Sequence, residues 1–263
     1  MDIAARQEAI LDLLRAQGSV GVDELAQRFN LTAQTIRNDL RDLSDRGLVR
    51  RTHGGARRVE SVTNREYAER RRHRGREKEE MGALAASLIP DNCSVTLNIG
   101  TSTEQVARSL IGHSGLVVLS NNINIINLLI GAKCRELILV GGSVRQSDGA
   151  IVGEDAVEFI SRYKVDFAVI GASSLDADGA VLDFDAREVS VARAILKNSR
   201  TKILVCDSSK FERTAPVRIC GIGDLDYLVT DRRPPESFCA AARRGQTEIL
   251  TLDDRDRHAA DPD

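Results

Sequence analysis

The stretch Thr32–Arg58, TAQTIRNDLRDLSDRGLVRRTHGGARR, changes character partway along. Its first part is amphipathic, whereas beyond Asp45 it holds five arginines, one histidine and three glycines with no carboxylate. At about 100° per residue, a helix that turns Ile36, Leu40 and Leu43 inward presents Gln34, Arg37, Asn38 and Arg41 outward. Thr35, Asp39 and Asp42 fall between the two faces. Thr32 sits where a hydroxyl can cap the first turn, and Gly47 where the helix would stop. LVRRTHGGARRV then predicts two short strands around a His-Gly-Gly turn.

The outward residues have the chemistry of base reading. Arginine donates two hydrogen bonds to a guanine edge, and glutamine or asparagine pairs with adenine, in a major groove wide enough for one helix. Thr32, Gln34, Thr35, Arg37, Asn38 and Arg41 are therefore expected to face double-stranded DNA. Arg50, Arg51, Arg57 and Arg58 suit phosphates, while His53 with Gly54 and Gly55 would let a thin wing tip lie close to the duplex. A polar helix face alone would equally suit exposure to water. Two striped helices joined by a tight turn and followed by a basic hairpin instead make a winged helix-turn-helix pattern.

Working outward, Ile10, Leu13 and Leu14 share one face of a helix that Gly18 ends. VDELAQRFN predicts a short helix, with Asp23 and Glu24 at its positive end and Asn30 closing it. These elements place a DNA-binding domain at residues 1–59. Residues 60–76 are charged and poor in large apolar groups, which predicts a linker, partly helical. Residues 77–252 alternate helical segments with continuous apolar strands, among them CSVTLNI, GLVVLS, VDFAVIGA and TKILVCD. That rhythm predicts an α/β domain with a mostly parallel sheet covered on both faces. Residues 253–263 read as a disordered tail.

The 263 residues carry 37 Lys+Arg against 39 Asp+Glu, so the whole chain is not a polycation. Residues 1–80 nevertheless hold 17 basic against 14 acidic groups, and the remainder 20 against 25. The five cysteines, Cys93, Cys134, Cys206, Cys220 and Cys239, are scattered without a CxxC pair, which argues against a disulfide framework and a zinc site. A cytoplasmic protein is expected. No stretch approaches the roughly 18 apolar residues of a membrane span. No glycine-rich nucleotide fingerprint appears, and no cofactor is expected.

The segment RQEAILDLLRAQGSVGVDELAQRFNLTAQTIRNDLRDLSDRGLVRRTHGGA resembles the DNA-binding domain of the DeoR family of bacterial repressors. Its strongest parts are TIRNDL, GLVRRTHGGA and QEAIL. Asn38 departs from the family, whose members commonly carry a second arginine there. NREYAERR, VLSNNINI, the run from DGAIVGEDAV to DAREV, and SSKFERTAPVRICGIGDLDYLVTDRRPP resemble the family's sensor domain, extending the likeness over roughly residues 6–250. That domain is similar in fold to ribose-5-phosphate isomerase and the CoA-transferase group. The resemblance implies a homo-oligomeric repressor, released from operator DNA by a small phosphorylated effector such as glycerol 3-phosphate or a sugar phosphate.

LNIGTSTEQVA carries a buried strand into Gly100, Thr101 and Ser102 and then a helix, a geometry that suits a phosphate. The resemblance implies that these three residues hold the phosphate, with Arg145 and Lys210 as charge partners and Asn121, Asp183 and Glu188 for effector hydroxyls. Each has a plainer alternative: a solvated lysine, an Arg145–Asp148 pair, a turn-forming or helix-capping Asn121, a helix-capping Asp183 or Glu188. Asn98 and Ala192 stand where the family usually has aspartate and often lysine. Asp183, Asp185 and Glu188 would also supply carboxylates to an enzyme of the isomerase type, the alternative to a non-enzymatic sensor.

Overall fold

The computed structural model describes residues 3–45, 49–52, 54–58 and 67–253. His53 lies outside the described residues, as do the side chains of Arg50, Arg51, Arg57 and Arg58. The chain divides into two compact units, Met1–Thr63 and Asn64–Asp263.

In the first unit helix α1 (Ile3–Gln17) leads to strand β1 (Ser19–Gly21), helices α2 (Val22–Phe29) and α3 (Ala33–Asp45), and strands β2 (Val49–Thr52) and β3 (Gly55–Arg58). Helices α1 and α2 stop, and α3 starts, for local reasons. Gly18, at φ +78°, donates its N–H to the Leu14 carbonyl at 3.0 Å, and Asn30 takes the left-handed conformation after α2. Thr32 caps α3, its Oγ1 accepting from the Thr35 N–H at 3.2 Å. The inward stripe packs as its spacing requires: Ile36, Leu40 and Leu43 join Ile10, Leu14, Val20, Leu25 and Val49 in one buried cluster.

The wing has three strands rather than the two expected. SVG, too short to be legible in the sequence, forms β1 and pairs antiparallel with β3, which pairs with β2. Gly55 is required there, because a Cβ would lie 2.0 Å from the Val20 carbonyl oxygen. Asp39, expected between the faces, is buried. Arg6 of α1 donates to its two oxygens at 2.7 and 3.0 Å, fixing α3 against α1.

The second unit opens with helix α4 (Tyr67–Arg72), in the stretch expected to be a partly helical linker, and helix α5 (Gly75–Ala86). Strand β4 (Ser94–Leu97), helix α6 (Thr101–Ser109), strand β5 (Val117–Ser120), helix α7 (Ile123–Leu129) and strand β6 (Glu136–Leu139) follow. After the hairpin β7 (Val144–Arg145) and β8 (Ala150–Ile151) come helix α8 (Glu154–Ser161) and strand β9 (Val165–Ile170). Strands β10 (Ser174–Leu175) and β11 (Ala180–Asp183), helix α9 (Ala186–Lys197) and strands β12 (Ser199–Val205), β13 (Val217–Gly221) and β14 (Tyr227–Thr230) precede helix α10 (Glu236–Arg244) and strand β15 (Glu248–Thr251).

Seven strands form one wholly parallel sheet in the order β15-β14-β12-β9-β4-β5-β6. Helices α5, α6 and α7 cover one cluster of the core, and α8, α9 and α10 the other, so both faces are buried and the strands are apolar on both sides. The hairpin β7–β8 and the three-stranded antiparallel sheet β10–β11–β13 are separate from the parallel sheet. The chain begins the sheet at β4, builds outward to β6, then returns to the other side of β4 at β9. The point between β4 and β9 is thus a topological switch, where ligands of open parallel sheets bind outside the carboxyl ends. Among the described residues no helix is long and apolar enough to cross a membrane.

Candidate functional site

On α3, Gln34, Arg37, Asn38 and Arg41 are exposed together, opposite the buried stripe. They are already organised. Arg41 Nη2 donates to Asn38 Oδ1 at 2.6 Å, and Gln34 Nε2 approaches the same oxygen at 3.4 Å. Thr32 is exposed and Thr35 half-buried at the start of the helix, their hydroxyls 2.9 Å apart. Such a ridge of amide and guanidinium groups can meet base edges without first breaking core contacts.

In the second unit a pocket opens at the switch point. Asn98, Ile99, Gly100, Thr101 and Ser102 line it after β4, Gly171, Ala172 and Ser173 after β9, and Val205 and Lys210 at the end of β12. Asp183 and Glu188 close one side, and Arg70 of α4 reaches in from another. Gly100, at φ +140°, lets the strand turn directly into α6, so the helix N-terminus with the Thr101 and Ser102 hydroxyls faces the pocket. Asn98 is 5% exposed, and its Oδ1 has no hydrogen-bond partner among the described residues. A buried acceptor left alone in a polar pocket is stabilised when a ligand donates to it.

The electrostatics are mixed. Burial pushes the Lys210 ammonium below the usual lysine range, against the pull of Asp207. Burial raises the Asp183 carboxyl, although Phe184 N–H and Ser173 Oγ donate to it at 2.7 and 2.9 Å. Glu188 is pushed up to about 7 by burial and by Asp183, with Arg145 opposing. Lys210 and Arg70 therefore share the pocket with two carboxyls whose proton affinity burial raises, an arrangement able to meet both a phosphate and hydroxyl groups.

Of the expected effector residues, Gly100, Thr101, Ser102, Asp183, Glu188 and Lys210 line this pocket, but Arg145 and Asn121 do not. The Arg145 guanidinium is held by Asp148 at 2.8 and 2.6 Å, by Glu188 at 2.6 Å and by Asp185 at 3.5 Å. Three carboxylates around one guanidinium leave it poorly placed to neutralise a phosphate, and it positions Glu188 instead. Asn121 is fully buried, its Nδ2 donating to the Ile151 carbonyl at 3.0 Å. The helix cap is its neighbour Asn122, whose Oδ1 accepts from the N–H groups of Asn124 and Ile125.

Sequence reasoning missed Arg70 and Lys78, because their arginine- and glutamate-rich surroundings looked like solvated linker. Lys78 is buried; its Nζ donates to the Arg70 carbonyl at 2.6 Å and lies 3.1 Å from Thr101 Oγ1. Burial pushes its ammonium down to about 8. NREYAERR carried the only signal, a likeness whose individual side chains had no assigned task.

Residues 6–62 match the DeoR-like helix-turn-helix domain, and residues 73–232 the DeoR C terminal sensor domain. The chain is 40% identical to the glycerol-3-phosphate regulon repressor of Escherichia coli K12 across 88% of this chain and 92% of that one. The repressor of the same name from Haemophilus influenzae is 40% identical, with 95% and 97% covered. The HTH-type transcriptional repressor CsqR of Escherichia coli K12 is 32% identical, with 93% and 94% covered. Among solved structures, ribose 5-phosphate isomerase A from Methanocaldococcus jannaschii is 14% identical at a TM-score of 0.38, covering 52% of this chain and 54% of that one.

Proposed function

Because the chain belongs to the DeoR family of transcriptional repressors, we propose that it represses a glycerol or carbohydrate catabolic operon and is released from the operator by glycerol 3-phosphate. Residues 1–59 bind the duplex in the cytoplasm, with the ridge of α3 in the major groove and Arg50, Arg51, Arg57 and Arg58 on phosphates. The residues from 77 to 252 sense the effector and hold the chain in a homo-oligomer. One recognition helix spans too few base pairs for high specificity, and paired half-sites extend the reading.

The observation that carries the effector reading is the pocket at the switch point. There the N-terminus of α6, the Thr101 and Ser102 hydroxyls and Lys210 face the same space as the unpaired Asn98 oxygen. Helix N–H groups, two hydroxyls and one ammonium suit a phosphate. Asn98, Asp183 and Glu188 suit the hydroxyls of a short polyol. A sensor needs only this affinity, and the two carboxyls serve as hydrogen-bond partners without turnover.

The test is an operator gel shift with glycerol 3-phosphate and a panel of sugar phosphates, beside a turnover assay. Release by glycerol 3-phosphate with no conversion is expected. Conversion of a sugar phosphate would support an isomerase-type enzyme with an appended DNA-binding domain. A Thr101→Ala, Ser102→Ala double variant is expected to keep operator binding and to need far more effector for release, and unchanged sensitivity would move the phosphate elsewhere.

A further inference from the structure

The residues of α4 do not behave as a spacer. Tyr67 donates its hydroxyl to Glu104 Oε1 of α6 at 2.5 Å and accepts from Asn124 Nδ2 at 2.9 Å. Arg71 lies over the Tyr67 ring at 5.8 Å and 3.9 Å from Glu104 Oε2. Two residues beyond α4, Arg74 donates to Ser208 Oγ at 2.8 Å and to Asp231 Oδ2 at 2.5 Å. Glu104 is buried within α6, the helix whose N-terminus faces the pocket. Thus α4 is clamped onto the anion-binding helix through a phenol–carboxylate bond and, from the Arg70 carbonyl, through Lys78 to Thr101.

Arg70 itself is incompletely satisfied. Its Nη2 lies 3.8 Å from Asp148 Oδ2, an oxygen that already accepts from Arg145 at 2.6 Å. Its Nε is buried with no hydrogen-bond partner among the described residues. The side chain nevertheless lines the pocket beside Gly100–Ser102. A buried guanidinium N–H without an acceptor is costly, and an anion in the pocket removes that cost while gaining a charge-assisted bond.

We infer that Arg70 is a ligand to the effector's anionic group, and that α4 is therefore the element through which effector occupancy reaches the DNA-binding unit. This rests on the effector reading of the same pocket. In sequence only eight residues separate Tyr67 from Arg58, the last residue of the wing. A ligand shifts an equilibrium only by its differential affinity for the two states, and Arg70 supplies that difference. Ser102 lies on α6 outside that Lys78 link and holds the effector whether or not α4 is docked, whereas the contact with Arg70 exists only when α4 is docked.

The experiment uses full-length protein, calorimetry with glycerol 3-phosphate and with inorganic phosphate, and the ratio of operator affinities without and at saturating glycerol 3-phosphate. Arg70→Gln is expected to weaken glycerol 3-phosphate binding about tenfold to a hundredfold and to bring the operator ratio close to one even at saturation. Ser102→Ala should also weaken binding yet keep the wild-type ratio once saturated, and Arg70→Lys should recover part of the ratio. In the unmutated protein, amide hydrogen exchange across residues 67–72 should slow on adding glycerol 3-phosphate. An Arg70→Gln protein with the wild-type ratio at saturation, or exchange in α4 unchanged by bound effector, would overturn the inference while leaving the effector reading intact. If wild-type protein binds neither probe, the effector reading falls and the inference with it.

Discussion

Replacing Asp39 by alanine should disable DNA binding without touching a residue of the reading face. Arg6 and Asp39 form a bidentate pair with side chains only 9% and 6% exposed. Removing one partner of such a pair leaves the other buried charge without its bidentate counter-charge, at a cost of about 3–5 kcal/mol. A unit of 63 residues, at roughly 0.05–0.15 kcal/mol per residue, has only about 3–9 kcal/mol of stability in all. The single change should therefore take away a third or more of what keeps α3 folded against α1. The assay is denaturant-dependent hydrogen exchange of the α3 amides in the full chain, with operator affinity measured in parallel. Arg6→Met should behave alike, and the combined Arg6→Met, Asp39→Leu protein should regain much of the loss, because two apolar groups leave no orphaned charge. An Asp39→Ala protein whose α3 amides exchange within about 1 kcal/mol of wild type would refute the reasoning, as the pair would then be no more than a screened surface contact.

Other outcomes follow from the sequence and the structure together. Arg37→Ala and Arg41→Ala should each cost about 1–3 kcal/mol of operator binding and relax base preference where either reads a guanine; unchanged selection from a randomised operator pool in both would remove them from the reading face. Arg51→Ala should weaken all sequences alike and flatten the log–log salt dependence by nearly one, which a salt titration measures. For Glu188, folded chains retain a proton up to about pH 7 that unfolded chains release near 4.5. The carboxyl therefore lowers stability progressively as pH rises through that window, and Glu188→Gln should flatten the fall in the sensor unit's melting temperature. A Cβ at Gly82 would lie 2.7 Å from the backbone of Gln105, so Gly82→Ala should destabilise the sensor unit by about 1–3 kcal/mol in thermal unfolding.

Much of this architecture was written in local patterns. Ile36, Leu40 and Leu43 recur at helical spacing and have one inward direction, so the face carrying Gln34, Arg37, Asn38 and Arg41 followed without knowledge of what covers the stripe. The apolar runs of the parallel strands were legible because both faces of such a sheet are buried. Short strands were not. SVG of β1 and the pieces β7, β8, β10 and β11 hold two to four residues each, too few to show a period, and exist through their partners across the sheet.

The polar residues divide in the same way. Gly100, Thr101 and Ser102 could be placed together from the sequence because a strand, a glycine and a helix start are contiguous there, and the structure puts all three in the wall of the pocket. Arg145 and the Asn121 Nδ2 looked equally suitable, yet their partners, Glu188 and the Ile151 carbonyl, are supplied by distant segments, and such partners decide whether a polar group is taken up within the protein. Arg70 and Lys78 reversed the error, since a charged run is solvated unless packing buries it. The order of residues determined which helices and strands form and which way their apolar faces turn, because those depend on near neighbours. Only the tertiary structure decided which charges are paired and which are left facing the pocket, because a charge's energy depends on every group around it, however remote in sequence.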